Sequence, residues 1–414
     1  MQSETPIHER DSRRWGMIAL VFLATLINYL DRQTLSVVAP VLLDELQISS
    51  TAYGRIVFAF MLAYTIMNGV SGPLIDRVGT RLGYALCMFV WSLATMLHAR
   101  VRSAWDLGLF RFLLGTGEAG NWPAGVRVVA EWFSPQERGL ASGIFNSGSS
   151  VGAIVAPPLI AAIALRFDWR AAFLITGAIG LLWLVPWWLF YRPPQEGIPN
   201  PTSLSKSRSY GIKKVLTSPF LVWFTTAKVF LDPVWYFYIF WFPQYLHRER
   251  NFDLADIGTY AWIPFAAAGF GNLLGGGLAA YGIRKSGNVL RVRSAVILFS
   301  CFLMVSAIPA VQATTAGAAI VWVSLAAMGY TACSANLLAL PADVFPREVV
   351  ASVYGLASVG SGFGGMVFSL LTGWAVDRYS FGPVFFLYGL LPLASALILA
   401  RALRGLRAPG AAFC

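Results

Sequence analysis

The feature that most constrains this chain is a succession of apolar runs, each about 20 residues long and separated by short polar segments. A helix of that length spans the roughly 30 Å hydrocarbon core of a bilayer, so the runs predict membrane-spanning helices. Only 12% of the residues are charged and 57% are hydrophobic, whereas soluble domains average about 25% charged residues. This composition excludes a soluble globular protein, and its many aromatic residues exclude a disordered chain.

The number of these runs predicts twelve transmembrane helices in an all-α membrane protein. Their expected ranges are 15–38, 52–73, 81–99, 104–129, 138–164, 170–190, 219–246, 255–280, 289–311, 316–340, 350–375 and 381–402. Basic residues are concentrated in the segments that would face the cytoplasm if both termini lie there. Because such segments carry an excess of Lys and Arg in membrane proteins, we expect both termini to be cytoplasmic.

A polar stretch rich in Pro, Ser and basic residues separates the sixth run from the seventh and predicts a cytoplasmic linker. The segments 131–143 and 343–355, which enter the fifth and eleventh runs, resemble each other. They indicate a twofold repeat of six helices with a site between the halves, the alternative being two acidic-Pro-Arg loops that arose by chance. The expected division is a tail at 1–14, a six-helix bundle at 15–190, a linker at 191–218, a second bundle at 219–402 and a tail at 403–414.

The loop after the second run carries the motif GPLIDRVGTR, residues 72–81. A carboxylate and a guanidinium at helix ends can form a charge-assisted latch that closes the cytoplasmic side, and a basic anchor with a glycine turn is the alternative. The gating residues expected from the motif are Gly72, Asp76, Arg77, Gly79 and Arg81. The equivalent loop of the second half has Ala280 where an aspartate would be expected, which puts a symmetrical second latch in doubt.

This loop resembles a signature of the major facilitator superfamily, and further segments are similar to its anion:cation symporter family, looking most like the bacterial hexuronate transporters. The segments are 28–32, 111–125, 145–158, 168–173, 227–246 and 258–265. The resemblance implies a multi-pass protein of a bacterial inner membrane that imports an organic anion together with protons. It implies a sugar acid such as glucuronate or galacturonate as the substrate, moved by alternating access of the two halves.

Ionisable residues inside the spans cluster in three of them, at a cost of at least about 2.5 kcal/mol each at the bilayer centre. These residues are Asp31, Arg32, Arg111, Glu118, Lys228 and Asp232. Helical spacing puts Arg111 and Glu118 on one face, and Asn28 and Arg32 on one face of the first span. Two spans therefore direct polar side chains toward what should be a single interior.

Arg32 is the expected clamp for a substrate carboxylate, since its planar guanidinium suits bidentate binding. This role also matches the family's first-helix arginine. A salt bridge of Arg32 with Asp31 or Glu118 that merely orders helices is the alternative. Lys228 is a second candidate anion contact, unless it extends toward the cytoplasmic interface instead.

Sugar hydroxyls are expected to meet Asn28, Tyr29 and Tyr64, although core packing is an alternative for both tyrosines. Trp235 and Tyr236 belong to an aromatic run that also contains Tyr238 and Trp241. This run could stack on the sugar or form an aromatic belt at the outer membrane interface. Weaker candidates are Ser147, Ser149, Ser150, Asn336, Ser358 and Ser361, and close helix packing is the expected role of the serines in the fifth run.

Glu118 is expected to carry the coupled proton together with Asp31, as matching carboxylates do in the resembling family. Burial in an apolar stretch favours the protonated carboxyl, while a nearby Arg111 favours the ionised one. This balance would make Glu118 a proton switch. The alternative is a permanently ionised partner of Arg111.

Several other classes of function lack their machinery in this sequence. No catalytic, nucleotide-binding or metal-binding motif is present, so an enzyme, an ATP-driven pump and a cofactor are not expected. The basic residues are not clustered as nucleic-acid binding requires, and the four cysteines fall singly. A monomer in the bilayer is expected. The rivals left open are a proton-independent exchanger or uniporter, a membrane sensor without flux, and a drug exporter.

Overall fold

The computed structural model describes residues 7–133, 137–192, 218–345 and 347–405, and the regular structure in these ranges is entirely helical. Most of the expected linker at 191–218 and parts of the expected tails at 1–14 and 403–414 lie outside the described residues. The α-helices are α1 (Ile7–Glu45), α2 (Ser50–Val78), α3 (Thr80–Leu97), α4 (Ala104–Glu118), α5 (Asn121–Trp132), α6 (Arg138–Arg166), α7 (Trp169–Phe190), α8 (Pro219–Arg250), α9 (Leu254–Tyr260), α10 (Ile263–Ser286), α11 (Val289–Leu303), α12 (Ala307–Gln312), α13 (Ala316–Val344), α14 (Arg347–Arg378) and α15 (Phe381–Gly405).

Ten helical segments among the described residues are long and apolar enough to cross a membrane. Two of the expected spans are helical without meeting this criterion. The fourth is divided into α4 and α5, and α8 has ample length at 32 residues but carries Lys228 and Asp232. Many large apolar side chains, such as Leu182, Leu273 and Leu397, are more than two-thirds exposed, as expected for a surface that faces lipid.

Helix breaks inside three expected spans follow from local sequence. α4 ends at Glu118 and α5 begins at Asn121, because Pro123 has no N–H to donate to the carbonyl of Ala119. α9 and α10 are separated just before Pro264. A short 3-10 segment, Met304–Ser306, joins α11 to α12.

The same packing order occurs twice along the chain. We call α1–α7 the first half and α8–α15 the second half. In the first half α1 packs on α6, α2 on α4 and α3 on α7; in the second half α8 packs on α14, α10 on α13 and α11 on α15. The halves meet mainly where α2 packs on α14, α1 on α8, and α6 on α9 and α10.

The halves are in close contact at one end of the bundle, which we call the closed end. There the carboxylate of Asp377 in α14 accepts hydrogen bonds from the backbone N–H groups of Ser50 (2.9 Å) and Thr51 (2.6 Å) at the start of α2. The hydroxyl of Tyr53 donates to the carbonyl of Phe240 in α8 at 2.7 Å. A carboxylate at a helix N-terminus is electrostatically favourable, so these contacts stabilise the closure.

At the opposite end, which we call the open end, no comparable contact between α2 and α14 occurs among the side chains that the structure describes. Gly362 in α14 is pressed against the side chain of Thr65 in α2 near the middle of both helices. Further toward the open end, one turn along α2 at Gly69 and two turns along α14 at Gly355, an added Cβ would meet nothing within 4 Å in the described part of the chain. Since these glycines lie on the same helix faces as Thr65 and Gly362, the two helices diverge there.

Close helix packing in the first half depends on small residues in α6. Gly148 is buried against the backbone carbonyl of Phe22 in α1, and a Cβ added at Gly152 would lie 2.7 Å from the carbonyl of Leu26. Gly143, in the same helix, is exposed and has open space around its Cα. Ser147 and Ser149 hydrogen-bond to carbonyls of their own helix, in agreement with the expected packing role of this segment.

We predict that Gly148→Ala lowers the free energy of unfolding by about 1–3 kcal/mol, because the added methyl group overpacks the α1–α6 contact. Gly143→Ala, in the same helix, is the matched control and should leave stability unchanged or slightly higher. Thermal unfolding of the purified protein in detergent checks both variants. Equal melting temperatures for the two variants would contradict the packing described here.

Candidate functional site

A buried ion pair between the first and fourth expected spans forms the centre of the candidate site. Nε and Nη2 of Arg32 both lie 2.8 Å from Oε2 of Glu118. Arg32 is 4% exposed and Glu118 is fully buried. Nη2 of Arg32 also donates to Oδ1 of Asn28 at 3.3 Å, which confirms that Asn28 and Arg32 share one face of α1.

The helix break after Glu118 is stabilised by side chains of neighbouring helices. Asn28 donates to the backbone carbonyl of Glu118 at 3.5 Å, and Ser71 of α2 donates to the carbonyl of Ala119 at 3.4 Å. Carbonyls freed by a break within a membrane span need such partners. Asn28 thereby contacts Arg32 and the turn that carries Glu118, so it positions both members of the ion pair.

Aromatic rings line the guanidinium of Arg32. Its Cζ atom lies 5.1 Å from the ring centre of Tyr29, 5.5 Å from Phe60 and 4.7 Å from Tyr64. Cation–π contacts of this kind are attractive, by about 0.5–2 kcal/mol, and keep a cation in place without neutralising its charge. Phe60 also packs against Phe240 of α8, at 5.8 Å between ring centres, so this aromatic lining reaches the second half.

Asp31 and Arg111 lie beside this pair and have unused hydrogen-bonding atoms. Both carboxylate oxygens of the fully buried Asp31 lack a hydrogen-bond partner in the described part of the chain. Arg111 donates to the backbone carbonyl of Arg32 at 3.2 Å, while its Nε and Nη2 have no described partner. Buried polar atoms without partners are rare in proteins and call for water, a proton or a ligand.

The sequence analysis left Glu118 two possible partners, Arg111 and Arg32, and the structure joins it to Arg32. The seven-residue spacing puts Arg111 and Glu118 on one face, but Arg111 reaches across to the backbone of α1. Together Asp31, Arg32, Arg111 and Glu118 contribute two positive and two negative charges when ionised. The first half therefore presents a buried cluster without net charge.

Lys228 forms a second buried ion pair, in α8. Its Nζ lies 2.7 Å from Oδ2 of Asp232, and both side chains are no more than 10% exposed. The other oxygen of Asp232 accepts a hydrogen bond from Tyr330 of α13 at 3.1 Å. Lys228 is therefore held inside the second half by Asp232 and does not extend to an aqueous interface.

Trp235 and Tyr236 lie between the two ion pairs. The indole of Trp235 stacks on Tyr330 with 5.2 Å between ring centres and 7° between planes, and it interacts with the hydroxyl of Tyr29 in the first half. The hydroxyl of Tyr236 lies 3.1 Å from Oγ of Ser361. The candidate sugar-contacting rings thus connect the two halves of the protein.

The alternative that the whole aromatic run forms an interfacial belt is wrong. Tyr238 is 1% exposed and Trp241 is fully buried. Trp241 packs edge-on against Tyr53 of α2, with 4.9 Å between ring centres. These rings fill the contact between the halves because α8 is surrounded by protein on most of its faces.

The residues of the 72–81 motif form contacts within the first half. Asp76 pairs with Arg127 of α5, which also contacts Glu131 at 2.9 Å. Glu131 in turn accepts hydrogen bonds from Thr80 (2.6 Å) and from Tyr191. Burial and the adjacent Glu131 carboxylate raise the pKa of the Tyr191 phenol above its usual range, so Tyr191 remains a hydrogen-bond donor.

The rest of the motif shapes the turn between α2 and α3. Gly79 has a φ of 85°, which favours glycine, and it ends α2. Arg81 donates to the backbone carbonyl of Trp188 at 2.5 Å and lies 4.5 Å from that indole ring. Arg77 is exposed, and a Cβ added at Gly72 would lie 3.9 Å from the side chain of Pro123.

Two residues of the site, Phe60 and Tyr330, were not among the residues predicted from the sequence. Two of the weaker candidates, Asn336 and Ser358, make hydrogen bonds to backbone carbonyls. Phe60 is missed although it lies four residues before Tyr64 on the same face of α2, a usable signal. Tyr330 has no such signal, because its partner Asp232 is 98 residues away. Asn336 ties α13 to the carbonyl of Gly275 at 3.0 Å, and Ser358 bonds its own helix.

No group of three or more His, Cys, Asp and Glu side chains that could hold a metal ion occurs among the described residues. The sulfur atoms of Cys301 and Cys333 lie 3.8 Å apart as free thiols. The groups that the site offers are three carboxylates, three cations, hydroxyls and aromatic rings. This donor set suits an anionic, hydroxyl-bearing solute and protons.

A helical membrane protein with repeated packing and buried charges between its halves has the features of a secondary transporter. The sequence matches the Major Facilitator Superfamily over residues 21–356. The chain therefore belongs to this family of membrane transporters, as the sequence motifs predicted. Its family and its similarity to bacterial transporters also confirm the predicted location as a multi-pass protein of a bacterial inner membrane.

Individual relatives are similar over almost the whole chain. The hexuronate transporter of Escherichia coli strain K12 is 31% identical over 401 residues, covering 93% of both chains. The hexuronate transporter of Bacillus subtilis strain 168 is 33% identical over 399 residues, covering 94% of both. The crystal structure of a D-xylose-proton symporter has the same fold, with a TM-score of 0.77 at 14% identity over 93% of this chain and 97% of that one. The predicted resemblance to hexuronate transporters is confirmed.

We predict a strong energetic coupling between Arg32 and Glu118. Arg32→Met and Glu118→Met should each destabilise the protein by about 3–5 kcal/mol, because each leaves a buried charge without its partner. The double variant, in which both charges are removed, should recover much of that loss. Thermal unfolding of all four proteins measures the coupling. Additive effects of the two substitutions would contradict a direct buried ion pair.

Proposed function

We propose that the protein is a proton-coupled symporter that imports a sugar acid, most specifically a hexuronate such as glucuronate or galacturonate. Two relatives at 31% and 33% identity are named hexuronate transporters. The buried Arg32 supports an anionic substrate, since a guanidinium can bind a carboxylate with two parallel hydrogen bonds. Hydroxyl and amide groups from Asn28, Tyr64 and Tyr236 would contact the sugar.

The proposal includes twelve transmembrane helices with both termini in the cytoplasm. The two segments that add to the ten apolar spans are Ala104–Trp132, which carries Arg111 and Glu118, and α8, which carries Lys228 and Asp232. Lower apolarity is expected where a span lines a polar interior. The six-helix bundles at 15–190 and 219–402 then correspond to the two sets of helices that pack in the same order.

With cytoplasmic termini, the closed end of the bundle faces the outside of the cell and the open end faces the cytoplasm. The chain is therefore in an inward-facing arrangement. The substrate leaves by the open end, between α2 and α14. Return to an outward-facing arrangement requires the contacts of Asp377 with Ser50 and Thr51 to break.

The motif at 72–81 would form the opposite closure, on the cytoplasmic side. The ion pair of Asp76 with Arg127 holds the end of α2 on α5 within the first half. We infer that this pair presents a rigid end of α2 for contact with the second half when the cytoplasmic side closes. Gly72, Arg77, Gly79 and Arg81 shape and anchor that end.

The ion pair of Arg32 with Glu118 is the observation that supports the coupling mechanism, because a substrate carboxylate would compete with Glu118 for Arg32. Without substrate, Arg32 directs two nitrogens to one oxygen of Glu118. Protonation of Glu118 removes the negative charge that holds Arg32 and leaves its guanidinium available for a substrate carboxylate. Substrate binding and proton binding thus favour each other, as symport requires.

Asp31 is the proposed second proton acceptor, with Arg111 as the neighbouring charge that tunes it. Its two buried oxygens make no hydrogen bond of ordinary length in the described part of the chain, although the hydroxyls of Thr95 and Thr176 lie near them, so each oxygen is open to a proton. After the loaded site turns inward, the higher pH of the cytoplasm removes the protons. Glu118 then recaptures Arg32 and displaces the substrate.

The proposed transporter acts as a monomer in the bilayer without a cofactor and without enzymatic turnover. The halves rock about the fixed site, as is common for this architecture. A ligand shifts such a pair of states only through its different affinity for them. The exchange of Glu118 for substrate at Arg32 supplies that difference.

We predict that Glu118→Gln retains counterflow of labelled glucuronate in proteoliposomes and loses uptake driven by an inward-directed pH gradient. Glutamine keeps an amide oxygen near Arg32 and cannot exchange a proton. Glu45→Gln is the matched control, since Glu45 pairs with Arg170 at a partly exposed position outside the site; it should keep both activities.

Other outcomes separate the rival functions. Equal loss of counterflow and pH-driven uptake in Glu118→Gln would refute the proton role. A wild-type protein whose uptake ignores both the pH gradient and a protonophore would be an exchanger or uniporter. Binding of glucuronate without flux would indicate a sensor, and transport of neutral or cationic amphiphiles would indicate a drug exporter.

We also predict the sidedness of the termini. A C-terminal fusion to green fluorescent protein should be fluorescent in bacterial cells, and a C-terminal fusion to alkaline phosphatase should be inactive, because both report a cytoplasmic location. A second pair of fusions after Arg102, between α3 and α4, should give the opposite result. Matching results at the two positions would contradict the proposed topology.

A further inference from the structure

The second half contains a buried charge pair that the proposed proton mechanism does not use. Lys228 and Asp232 lie one helical turn apart in α8 and are joined at 2.7 Å. Tyr330 donates to the remaining oxygen of Asp232. Burying two ionised groups costs several kcal/mol each before their attraction is counted, so their presence in an apolar span calls for a reason beyond packing.

This pair is connected to the Arg32 site through aromatic side chains. Tyr29 contacts the guanidinium of Arg32 on one side and interacts with Trp235 on the other. Trp235 stacks on Tyr330, which binds Asp232. A solute that is bound at Arg32 by its carboxylate and follows this row of side chains would bring its far end to Trp235, Tyr330 and Asp232.

The charges along this path determine what the far end of a solute can be. Lys228 is the cation on this path, and Asp232 neutralises it at direct contact. A second solute carboxylate would meet a cation that is already paired, and would lie close to the like charge of Asp232. Such a like-charge approach in a poorly solvated interior is strongly unfavourable.

We propose that Asp232 is a specificity-determining residue that restricts the protein to sugar acids with one carboxylate and excludes those with two. This inference rests on the proposed function and names the substrate class more narrowly. The far end of the accepted solute carries hydroxyl or aldehyde groups. A hydroxyl can donate to Asp232 and accept from Lys228 or Tyr330, so it suits a paired cation and anion.

Asp232→Asn tests this role because it removes the negative charge and nearly preserves the shape of the side chain. The amide oxygen can still accept the hydrogen bond from Tyr330. Lys228 would lose its counter-ion and become available to a second carboxylate. We expect six-carbon diacids, galactarate and glucarate, to gain at least tenfold in apparent affinity in this variant.

The experiment measures how galacturonate, galactonate, galactarate and glucarate inhibit counterflow of labelled glucuronate in proteoliposomes. In the wild-type protein the two monoacids should compete and the two diacids should not. In Asp232→Asn the diacids should compete as well. Asp253→Asn is the matched control, because Asp253 is an exposed N-cap of α9 and asparagine caps helices equally well; it should behave as wild type.

Two further variants keep the test decisive if Asp232→Asn does not fold. Asp232→Glu retains the charge and should stay selective for monoacids. The double variant Lys228→Gln/Asp232→Asn has no unpaired charge and should also exclude diacids, since it lacks the free cation. Gain of diacid inhibition in either variant would overturn the role assigned to the Lys228–Asp232 pair.

The outcomes distinguish this inference from the proposed function. Counterflow of monoacids and diacids with equal potency in the wild type would overturn the specificity role while leaving sugar-acid transport intact. Asp232→Asn that folds and still rejects diacids would overturn it too. A wild-type protein that moves none of the four acids would instead overturn the proposed function itself.

Discussion

The ion pair of Arg32 and Glu118 is the interaction on which the rest of the candidate site depends. Two ionised groups withdrawn from water are tolerated only with close contact and further hydrogen bonds. Here the carboxylate oxygen receives two guanidinium nitrogens, Asn28 supports the guanidinium, and aromatic rings enclose it. The pair is held firmly, yet its attraction depends on the charge of Glu118, which a single proton removes. A site of this kind is stable without substrate and can exchange one carboxylate partner for another.

The surrounding fold allows this exchange to be coupled to movement. The break between α4 and α5 places Glu118 at the end of a helix. Glu118 is therefore not fixed within an unbroken membrane-spanning helix. The aromatic residues Phe60 and Phe240 join the lining of Arg32 to the second half. When Arg32 exchanges Glu118 for a substrate carboxylate, the aromatic contact between the halves therefore changes as well. The closed end, held by Asp377, and the diverging open end show that this contact is already asymmetric along the bundle.

Local spacing predicted the parts of the site that lie on one helix, and could not predict the contacts between helices. The shared face of Asn28 and Arg32 follows from a four-residue spacing and is confirmed. The ion pair of Arg32 with Glu118 was one of two alternatives, and spacing could not select it, because Arg32 is 86 residues away whereas Arg111 lies on the same helix face as Glu118. The apolar runs predicted where most of the helices lie. The run at 104–129 was predicted as a single span, so the break between α4 and α5 before Pro123 was not predicted. Ala104–Trp132 and α8 fall short of the apolar criterion and carry Arg111, Glu118, Lys228 and Asp232. Weak hydropathy locates only part of the site, because α1 meets the criterion and still carries Asp31 and Arg32.

The central claim is that a sugar acid and a proton bind together because they act on opposite members of one ion pair: the proton neutralises Glu118, and the sugar acid takes its place at Arg32. Isothermal titration calorimetry of glucuronate binding in buffers of different ionisation enthalpy measures the protons taken up on binding. The account predicts a binding enthalpy that depends on the buffer in the wild-type protein, corresponding to proton uptake, and a loss of that dependence in Glu118→Gln. Binding without proton uptake in the wild type, or with the same uptake in Glu118→Gln, would contradict it.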